Sequence, residues 1–431
     1  MYFKISIYHI LIFSFLLKIC LFVYIYFTND LSIFYRPDTP SYLQPIINVI
    51  NGNGYILDNG QYETSRPPGY PLVLGLSYLL GNIEAITIII QIIVTTIAIY
   101  YVYKLSLLIY ESQTFALISA SLLSIEPLSI IFSSGLLLTE SLLMSFIIFF
   151  SYNFLLFLKT KKLKYLLFFT FFSIIALYIK PIVLFLPLVI STYLFFKKVK
   201  FKFIFLFLSL FYLSASIWTI RNGKVCGKYN FSTISTKNIA YNALEVLNQK
   251  YKTDIKTFLD KKEIKNEQLK KDIELFKNKK YFTIFINNFF ISAKIYLKGF
   301  FVTIFGVGTS DYFNTFGIDY SNSKLTQGIN SDINFLVDVI LENKTAIILN
   351  IFLFMQLALT YYFFIRGFKN FPQKDILLVF CLIIAYFIFI SGGIFGYSRF
   401  RIPIMPFIEI IAGWGIFNVI FKYNEKLSNK S

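Results

Sequence analysis

Apolar runs, many of them close to the roughly twenty residues that a helix needs to cross a bilayer, recur along the whole sequence. The chain is 56% hydrophobic and 20% aromatic, and only 15% of its residues carry a charge. This pattern predicts an all-α polytopic membrane protein with about ten transmembrane helices, joined by outer-face loops that carry interfacial helices. The predicted spans are residues 5–27, 84–104, 113–133, 136–158, 163–179, 181–196, 203–220, 345–366, 375–391 and 402–421.

Lysine-rich segments between these runs set the predicted orientation. The net charge is +18, and many lysines fall into four short segments, residues 159–164, 197–202, 366–374 and 422–430. Cytoplasmic loops carry such an excess, and with a cytoplasmic N-terminus all of these segments alternate to the cytoplasmic side. The sequence therefore predicts a multi-pass plasma (inner) membrane protein with both termini in the cytoplasm, and it predicts no nucleic-acid partner.

Three regions follow from this topology. Residues 1–220 form an N-terminal transmembrane core whose first outer loop is 28–83, residues 221–344 form an outer region with interfacial helices, and residues 345–431 hold the C-terminal spans and a short tail. The run 281–306 is apolar but contains two asparagines and two lysines. We therefore predict that this run is a helix lying at the outer membrane interface, not a span.

Two further segments have apolar residues at helical spacing between polar ones. Residues 41–50 predict an interfacial helix in the first outer loop, and residues 250–280 predict one or two amphipathic, mostly solvated helices. Both segments lie on the predicted outer side.

Few residue types are left to carry chemistry. The three cysteines, Cys20, Cys226 and Cys381, are far apart, and His9 is the single histidine. This composition argues against a disulfide framework, a zinc site and histidine-based catalysis. Any chemistry must use carboxylates, lysine, arginine, tyrosine or serine.

Two charged residues in the first outer loop each have a structural and a functional interpretation. Asp38, in "RPDTPSY", precedes the 41–50 helix and can cap it or act as a chemical group at the membrane surface. Arg66, in "SRPPGYP", precedes three prolines that delay a regular helix until Tyr70 or later. It can anchor the chain to lipid headgroups, or its guanidinium can bind a phosphate.

Other charged residues gather on the same predicted side. Buried carboxylates in a membrane are costly and usually face a cavity or a partner, and basic groups at the outer end can anchor the chain singly. Together with Arg66 and Asp38, these residues predict a site for a lipid-linked anion with an acid beside it. They are Glu126, Glu140, Lys180, Arg221, Arg399 and Arg401.

The order of the motifs resembles a known class of enzyme. "PDTPSY", "NGNGY", "RPPGYPLVLG", "EPLSIIFSSGLLLTESLL", "YIKP", "IRN" and "GYSRFRIPIMPFI" follow one another from about residue 36 to 408. This set resembles the GT-C class of membrane glycosyltransferases, in particular the dolichyl-phosphate-mannose protein mannosyltransferase and aminoarabinose transferase branch. The resemblance covers nearly the whole membrane core.

The resemblance implies a reaction and roles for the residues. The donor would be a sugar on a polyprenyl phosphate, the acceptor a lipid, glycan or protein, and the site would face the outer side among membrane lipids. Asp38 would be the base that takes a proton from the acceptor hydroxyl, with Glu140 orienting Asp38, a basic partner or the acceptor. The substrate- and phosphate-binding residues would be Tyr42, Arg66, Lys180, Arg221, Arg399 and Arg401.

Departures from the family pattern keep some questions open. Many relatives of the aminoarabinose branch have an acid directly before the basic residue, whereas here Ser65 takes that place and Glu63 lies two positions earlier. A divalent cation is therefore left open as a cofactor, with no ligand assigned. Two alternatives to an enzyme are a transporter or flippase of a lipid-linked saccharide, which predicts an inverted repeat that we do not see, and a non-catalytic component of the cell envelope.

Overall fold

The computed structural model describes residues 6–259, 266–316, 344–394 and 396–428. Part of the predicted outer region, residues 317–343, lies outside the described residues, as do the side chains of the tail lysines. Within the described residues the chain is helical, and the only β pairing is an isolated bridge between Ile56 and Tyr62. The all-α fold class is confirmed.

The helices of the N-terminal half follow the predicted apolar runs, with helix α2 and helix α3 inside the predicted first outer loop. They are α1 (Ile7–Thr28), α2 (Thr39–Ile50), α3 (Gly69–Leu79), α4 (Ile83–Ile109), α5 (Gln113–Ser124), α6 (Pro127–Ser134), α7 (Glu140–Thr160), α8 (Leu163–Ile179), α9 (Leu186–Phe196) and α10 (Phe201–Cys226). Helix α3 begins at Gly69, one residue earlier than predicted, because Pro71 falls in its first turn, where a missing N–H costs nothing.

The C-terminal half begins with short helices and ends with long ones. They are α11 (Ile234–Tyr251), α12 (Lys256–Leu259), α13 (Glu267–Lys277), α14 (Tyr281–Asn287), α15 (Phe289–Phe305), α16 (Thr309–Thr315), α17 (Lys344–Lys369), α18 (Lys374–Ile390) and α19 (Met405–Ser428). In the described part of the chain, the turns between these elements include the 3₁₀ helices Leu31–Phe34, Pro181–Phe185 and Ser398–Ile404.

The predicted count of about ten spans is not confirmed. Among the described residues, six helices are long and apolar enough to cross a membrane, or up to eight if each bent pair counts as one span. Two physical reasons explain the difference. Pro127 breaks the predicted span 113–133 into α5 and α6, which meet at 55°, and α8, α9 and α18 contain only 11 to 17 residues.

Two hydrophobic cores organise the described chain. The large core centres on α7, which packs against α4 and α8, while α19 packs against α5 and α17. The small core joins α11, α13, α14 and α15 through residues such as Leu247, Ile273 and Ile295. The predicted amphipathic helices of 250–280 are thus present as α12 and α13, with residues 260–265 outside the described part.

Candidate active site

Asp38 lies immediately before α2 and is held by two arginines. Its side chain makes no capping hydrogen bond to α2, so the capping interpretation is not supported. Its Oδ1 lies 2.8 Å from an Arg66 nitrogen, and its Oδ2 lies 2.7 Å from an Arg399 nitrogen. Asp38 therefore accepts a charge-assisted hydrogen bond at each oxygen.

The backbone around Asp38 is fixed to the loop that precedes α7. The Thr39 hydroxyl accepts a hydrogen bond from the backbone N–H of Arg36 (3.0 Å) and donates one to the carbonyl of Leu137 (3.0 Å). The backbone N–H of Leu137 donates in turn to the carbonyl of Phe34 (2.9 Å). These bonds place Asp38 beside the start of α7, where Glu140 lies.

Arg66 uses its whole guanidinium to bind the start of α2. Besides Asp38, it donates to the Ser41 hydroxyl (2.9 Å) and the Tyr42 hydroxyl (3.0 Å). The turn that carries it is fixed by Glu63, whose carboxylate accepts the backbone N–H groups of Ser65 and Arg66. Glu63 therefore serves here to hold the Arg66 turn.

A second, deeper ion pair adjoins the first. Glu140, whose side chain is only 2% exposed, lies 2.8 Å from the Lys180 ammonium. The Nε of Arg399 approaches the same Glu140 oxygen at 3.6 Å. Arg399 thus connects Asp38 to Glu140, and three basic groups and two carboxylates form one cluster with a net charge of one positive unit, which we call the charge cluster.

The surroundings of Asp38 change its acidity in two opposing ways. Burial raises the pKa of Asp38, but the positive charges of Arg399 and Arg66 lower it by more, so its pKa lies below the ordinary value. Asp38 is therefore ionised at neutral pH, which is the form that can accept a proton.

An apolar cleft lies between helices that begin or end at the charge cluster. Its volume is about 420 Å³ and its walls come from α3, α7 and α8. Each wall starts within two residues of a charged group: Pro68 follows Arg66, Leu142 follows Glu140, and Ile179 precedes Lys180. The other lining residues include Val73, Phe146 and Ile175.

Arg221 and Arg401 have other partners. Arg221 donates to the carbonyls of Glu63 (2.6 Å) and Tyr55 (3.0 Å), and Arg401 donates to carbonyls at the end of α15. None of the hydrogen bonds that the structure gives these two arginines reaches the charge cluster. Both side chains hold backbone in the structure, and their predicted phosphate-binding role stays a prediction.

Three residues near the charge cluster had no role in the sequence prediction. Arg36 donates to the Thr315 hydroxyl (3.0 Å) and so ties α16 to the Asp38 segment. Burial of Asp311 on α16 raises the pKa of its carboxyl, and the positive charges of Arg36 and Arg399 lower it by less, so this pKa lies above the ordinary value. Lys237 donates to the Ser65 hydroxyl (2.8 Å). Single charged residues in a polar loop carry no motif, so no sequence signal identified them.

The described residues do not fit a divalent-cation site. They contain no group of three or more His, Cys, Asp or Glu side chains that could hold a metal ion. Both oxygens of Asp38 face guanidinium groups, and a Glu140 oxygen faces an ammonium group. A cation would meet three positive charges here, so we assign no metal ligand.

The all-α fold is similar to that of GT-C-type membrane glycosyltransferases. The family model described as dolichyl-phosphate-mannose-protein mannosyltransferase matches residues 65–219, a segment that includes Arg66, Glu140 and Lys180. The resemblance seen in the sequence is therefore confirmed for this segment. A search of curated proteins found no match.

Solved structures of an archaeal enzyme share the fold. The chain is similar to the oligosaccharyltransferase AglB from Archaeoglobus fulgidus in complex with an inhibitory peptide and a dolichol-phosphate, with a TM-score of 0.53 and 13% identity over 99% of this chain. The apo form of the Archaeoglobus fulgidus oligosaccharyltransferase matches with a TM-score of 0.52 and 12% identity over 99% of this chain. Its complex with zinc and sulfate matches with a TM-score of 0.50 and 14% identity over 97% of this chain. This chain spans 50–52% of those proteins.

The depressed pKa of Asp38 predicts how stability depends on pH. In the unfolded chain the pKa of an aspartate is about 3.9, and in the fold it is lower. The ion pairs of Asp38 thus stabilise the fold fully when the pH is above the pKa of Asp38 in the unfolded chain. This contribution is lost as the pH falls through the pKa of Asp38 in the folded chain. We expect Asp38→Asn to lower the thermal unfolding midpoint in detergent at pH 7, and the difference from wild type to shrink below about pH 4. If the difference between the unfolding midpoints of wild type and Asp38→Asn grew as the pH fell, the predicted pH dependence would be wrong.

The buried pair of Glu140 and Lys180 predicts a second, non-additive effect. Lys180→Met leaves the Glu140 carboxylate with the more distant Arg399 alone, and breaking a buried pair costs about 3 kcal/mol. The double variant Glu140→Gln/Lys180→Met removes both charges and should recover most of that loss. Thermal unfolding of Lys180→Met, Glu140→Gln and the double variant forms the test, and additive losses in the double variant would show that the two groups do not interact.

Proposed function

We propose that this protein transfers a sugar from a polyprenyl-phosphate-linked donor to an acceptor hydroxyl. The observation that carries the proposal is the charge cluster at the ends of the helices that line the apolar cleft. A polyprenyl-phosphate sugar is a phosphodiester with one negative charge and a long apolar tail, so it matches the net positive charge of the cluster and the apolar character of the cleft. The family match and the shared fold support the same class of reaction.

The donor would lie with its phosphate against Arg399, Arg66 and Lys180 and with its prenyl tail in the cleft. Arginine binds phosphate through its planar fork, and lysine adds a point charge. The phosphate would compete with Asp38 for the two guanidinium groups. Binding would therefore loosen the ion pairs that hold Asp38, and the carboxylate would become available to the acceptor.

Asp38 would then act as the general base. As it takes the proton from the acceptor hydroxyl, the acceptor oxygen forms a bond to the anomeric carbon, and the bond from that carbon to the phosphate oxygen breaks. The configuration at the sugar is inverted, and polyprenyl phosphate leaves with one more negative charge. Arg399 and Lys180 would stabilise that charge as it develops, while Glu140 holds both of them in place.

The lysine-rich segments support the side on which this occurs. They favour the cytoplasm for both termini, and the charge cluster then faces the outer side of the plasma (inner) membrane. The acceptor would be a lipid, a glycan or a protein that is present on that side.

The test is transfer of radiolabelled sugar from polyprenyl-phosphate donors in membranes that contain the wild-type chain, Asp38→Asn or the control Asp58→Asn. Asp58 is an exposed acid of the same outer loop, outside the charge cluster. General-base catalysis accelerates a reaction by about 10²- to 10⁴-fold. The transfer rate of Asp38→Asn should therefore be at least 100-fold lower than that of wild type, while the rate of the control Asp58→Asn should equal that of wild type. Equal transfer by wild type and Asp38→Asn would contradict the role of Asp38.

A further inference from the structure

The route of the donor through the charge cluster limits where its sugar can lie. In a polyprenyl-phosphate sugar, the anomeric carbon and the first prenyl carbon are bonded to different oxygens of one phosphate, so the sugar and the tail leave that phosphate in different directions. The tail lies on the side of the cleft, whose walls come from α3, α7 and α8. The sugar therefore needs a partner on another element that borders the charge cluster.

The short helix α16 is such an element. It packs against α6, α17 and the first 3₁₀ helix. At its start, a Cβ added to Gly308 would lie 3.2 Å from the hydroxyl oxygen of Ser398. At its end, the Thr315 hydroxyl accepts a hydrogen bond from Arg36 (3.0 Å). Ser398 and Arg36 each lie within two residues of a member of the charge cluster, so α16 connects two of its segments.

Asp311 lies on the side of α16 that faces the charge cluster. It follows Gly308 by three residues and precedes Thr315 by four, and side chains at these spacings share one face of a helix. Burial is the main reason that the pKa of the Asp311 carboxyl is raised, but the charges of Arg399 and Glu140 also shift this pKa. The carboxyl therefore lies within electrostatic range of the charge cluster.

The Asp311 carboxylate has no hydrogen bond and no ion pair within the described residues. Its backbone carbonyl accepts from Arg36 (3.4 Å) and from the Thr315 hydroxyl (2.6 Å), but its side chain is half-buried without a partner. Burial of a polar group costs free energy unless the group is hydrogen-bonded. Asp38 and Glu140 are each paired with basic groups. Beside these two paired acids, Asp311 is available to accept hydrogen bonds from a ligand.

We propose that Asp311 binds the sugar of the donor, an inference that rests on the proposed function, by accepting hydrogen bonds from the sugar hydroxyls. The two oxygens of a carboxylate can accept from two neighbouring hydroxyls of one ring. Because the sugar is bonded directly to the phosphate, its ring lies beside the arginines that hold the phosphate, where α16 borders the charge cluster. Asp311 then fixes the ring so that the anomeric carbon faces Asp38 and the acceptor. Its negative charge also selects against sugars that carry a carboxylate of their own.

The affinities for lipids with and without a sugar test this contact. The full chain in detergent is offered polyprenyl phosphate and polyprenyl phosphates that carry glucose, mannose or galactose, as wild type, Asp311→Asn and the control Asp58→Asn. Losing a hydrogen bond to a charged group weakens binding by about tenfold or more. Asp311→Asn should therefore bind the glycosylated lipid that wild type prefers about tenfold more weakly, and should bind polyprenyl phosphate as wild type does. The control should match wild type for every lipid.

The outcomes separate a contact with the sugar from a structural role. An equal loss of affinity for the glycosylated and the bare lipid would show that Asp311 only supports the site, and unchanged affinities would show that it does not touch the sugar; either result overturns the inference. If wild type itself does not bind polyprenyl phosphate, the proposed function fails. If wild type binds that lipid and Asp311→Asn changes nothing, only the inference fails.

A polyprenyl phosphate that carries glucuronic acid gives a readout in the opposite direction. Its sugar carboxylate meets the like charge of Asp311 in wild type, and Asp311→Asn removes that repulsion. Asp311→Asn should therefore bind the glucuronyl lipid more tightly than wild type does, a gain that a damaged fold does not produce. Weaker or unchanged binding of this lipid by the variant would contradict the selection against acidic sugars.

Donors that lack one sugar hydroxyl at a time keep the test valid if Asp311→Asn fails to fold. In the transfer assay, wild type should show a KM about tenfold higher for at least one deoxy donor than for the parent donor. Where the variant folds, its KM should be the same for that deoxy donor and the parent, because the contact is already lost. An unchanged KM for every deoxy donor in wild type, or additive effects of the two changes, would overturn the inference.

Discussion

The site depends on the interaction of Arg399 with two carboxylates, those of Asp38 and Glu140. Its guanidinium reaches Asp38 at 2.7 Å and approaches Glu140 at 3.6 Å, so one side chain joins the segment before α2 to the buried start of α7. Charges in a low-dielectric surrounding are tolerated only when they are paired, and Glu140 is almost fully buried. Without Arg399, Asp38 would keep only Arg66, and Glu140 would keep only Lys180.

The fold brings these charges together from five separate segments. Asp38 precedes α2, Arg66 precedes α3, Glu140 begins α7, Lys180 follows α8, and Arg399 precedes α19. All five lie at or near helix ends, where the chain leaves the apolar packing and charged groups cost less free energy to accommodate. The same helices supply the walls of the apolar cleft, so a polar head and an apolar tail of one ligand can be held side by side.

The sequence could predict this convergence only in part. Apolar runs and lysine-rich loops placed Asp38, Arg66, Glu140, Lys180 and Arg399 on one side, and the structure brings these residues together with Tyr42. The sequence did not separate Arg221 and Arg401 from them, because a basic residue at a helix end looks the same whether it faces a ligand or a backbone carbonyl. The span count is not confirmed, because hydropathy does not register the break at Pro127 or the short length of α18.

The most direct test of the central claim is the affinity of the detergent-solubilised chain for polyprenyl phosphate, compared with uncharged polyprenol, in wild type and Arg399→Gln. The charge cluster predicts that wild type binds the phosphate more tightly than the alcohol, and that Arg399→Gln loses at least about tenfold of the affinity for the phosphate only. Equal affinities of wild type for the two lipids, or an unchanged phosphate affinity in Arg399→Gln, would show that the charge cluster is not a lipid-phosphate site.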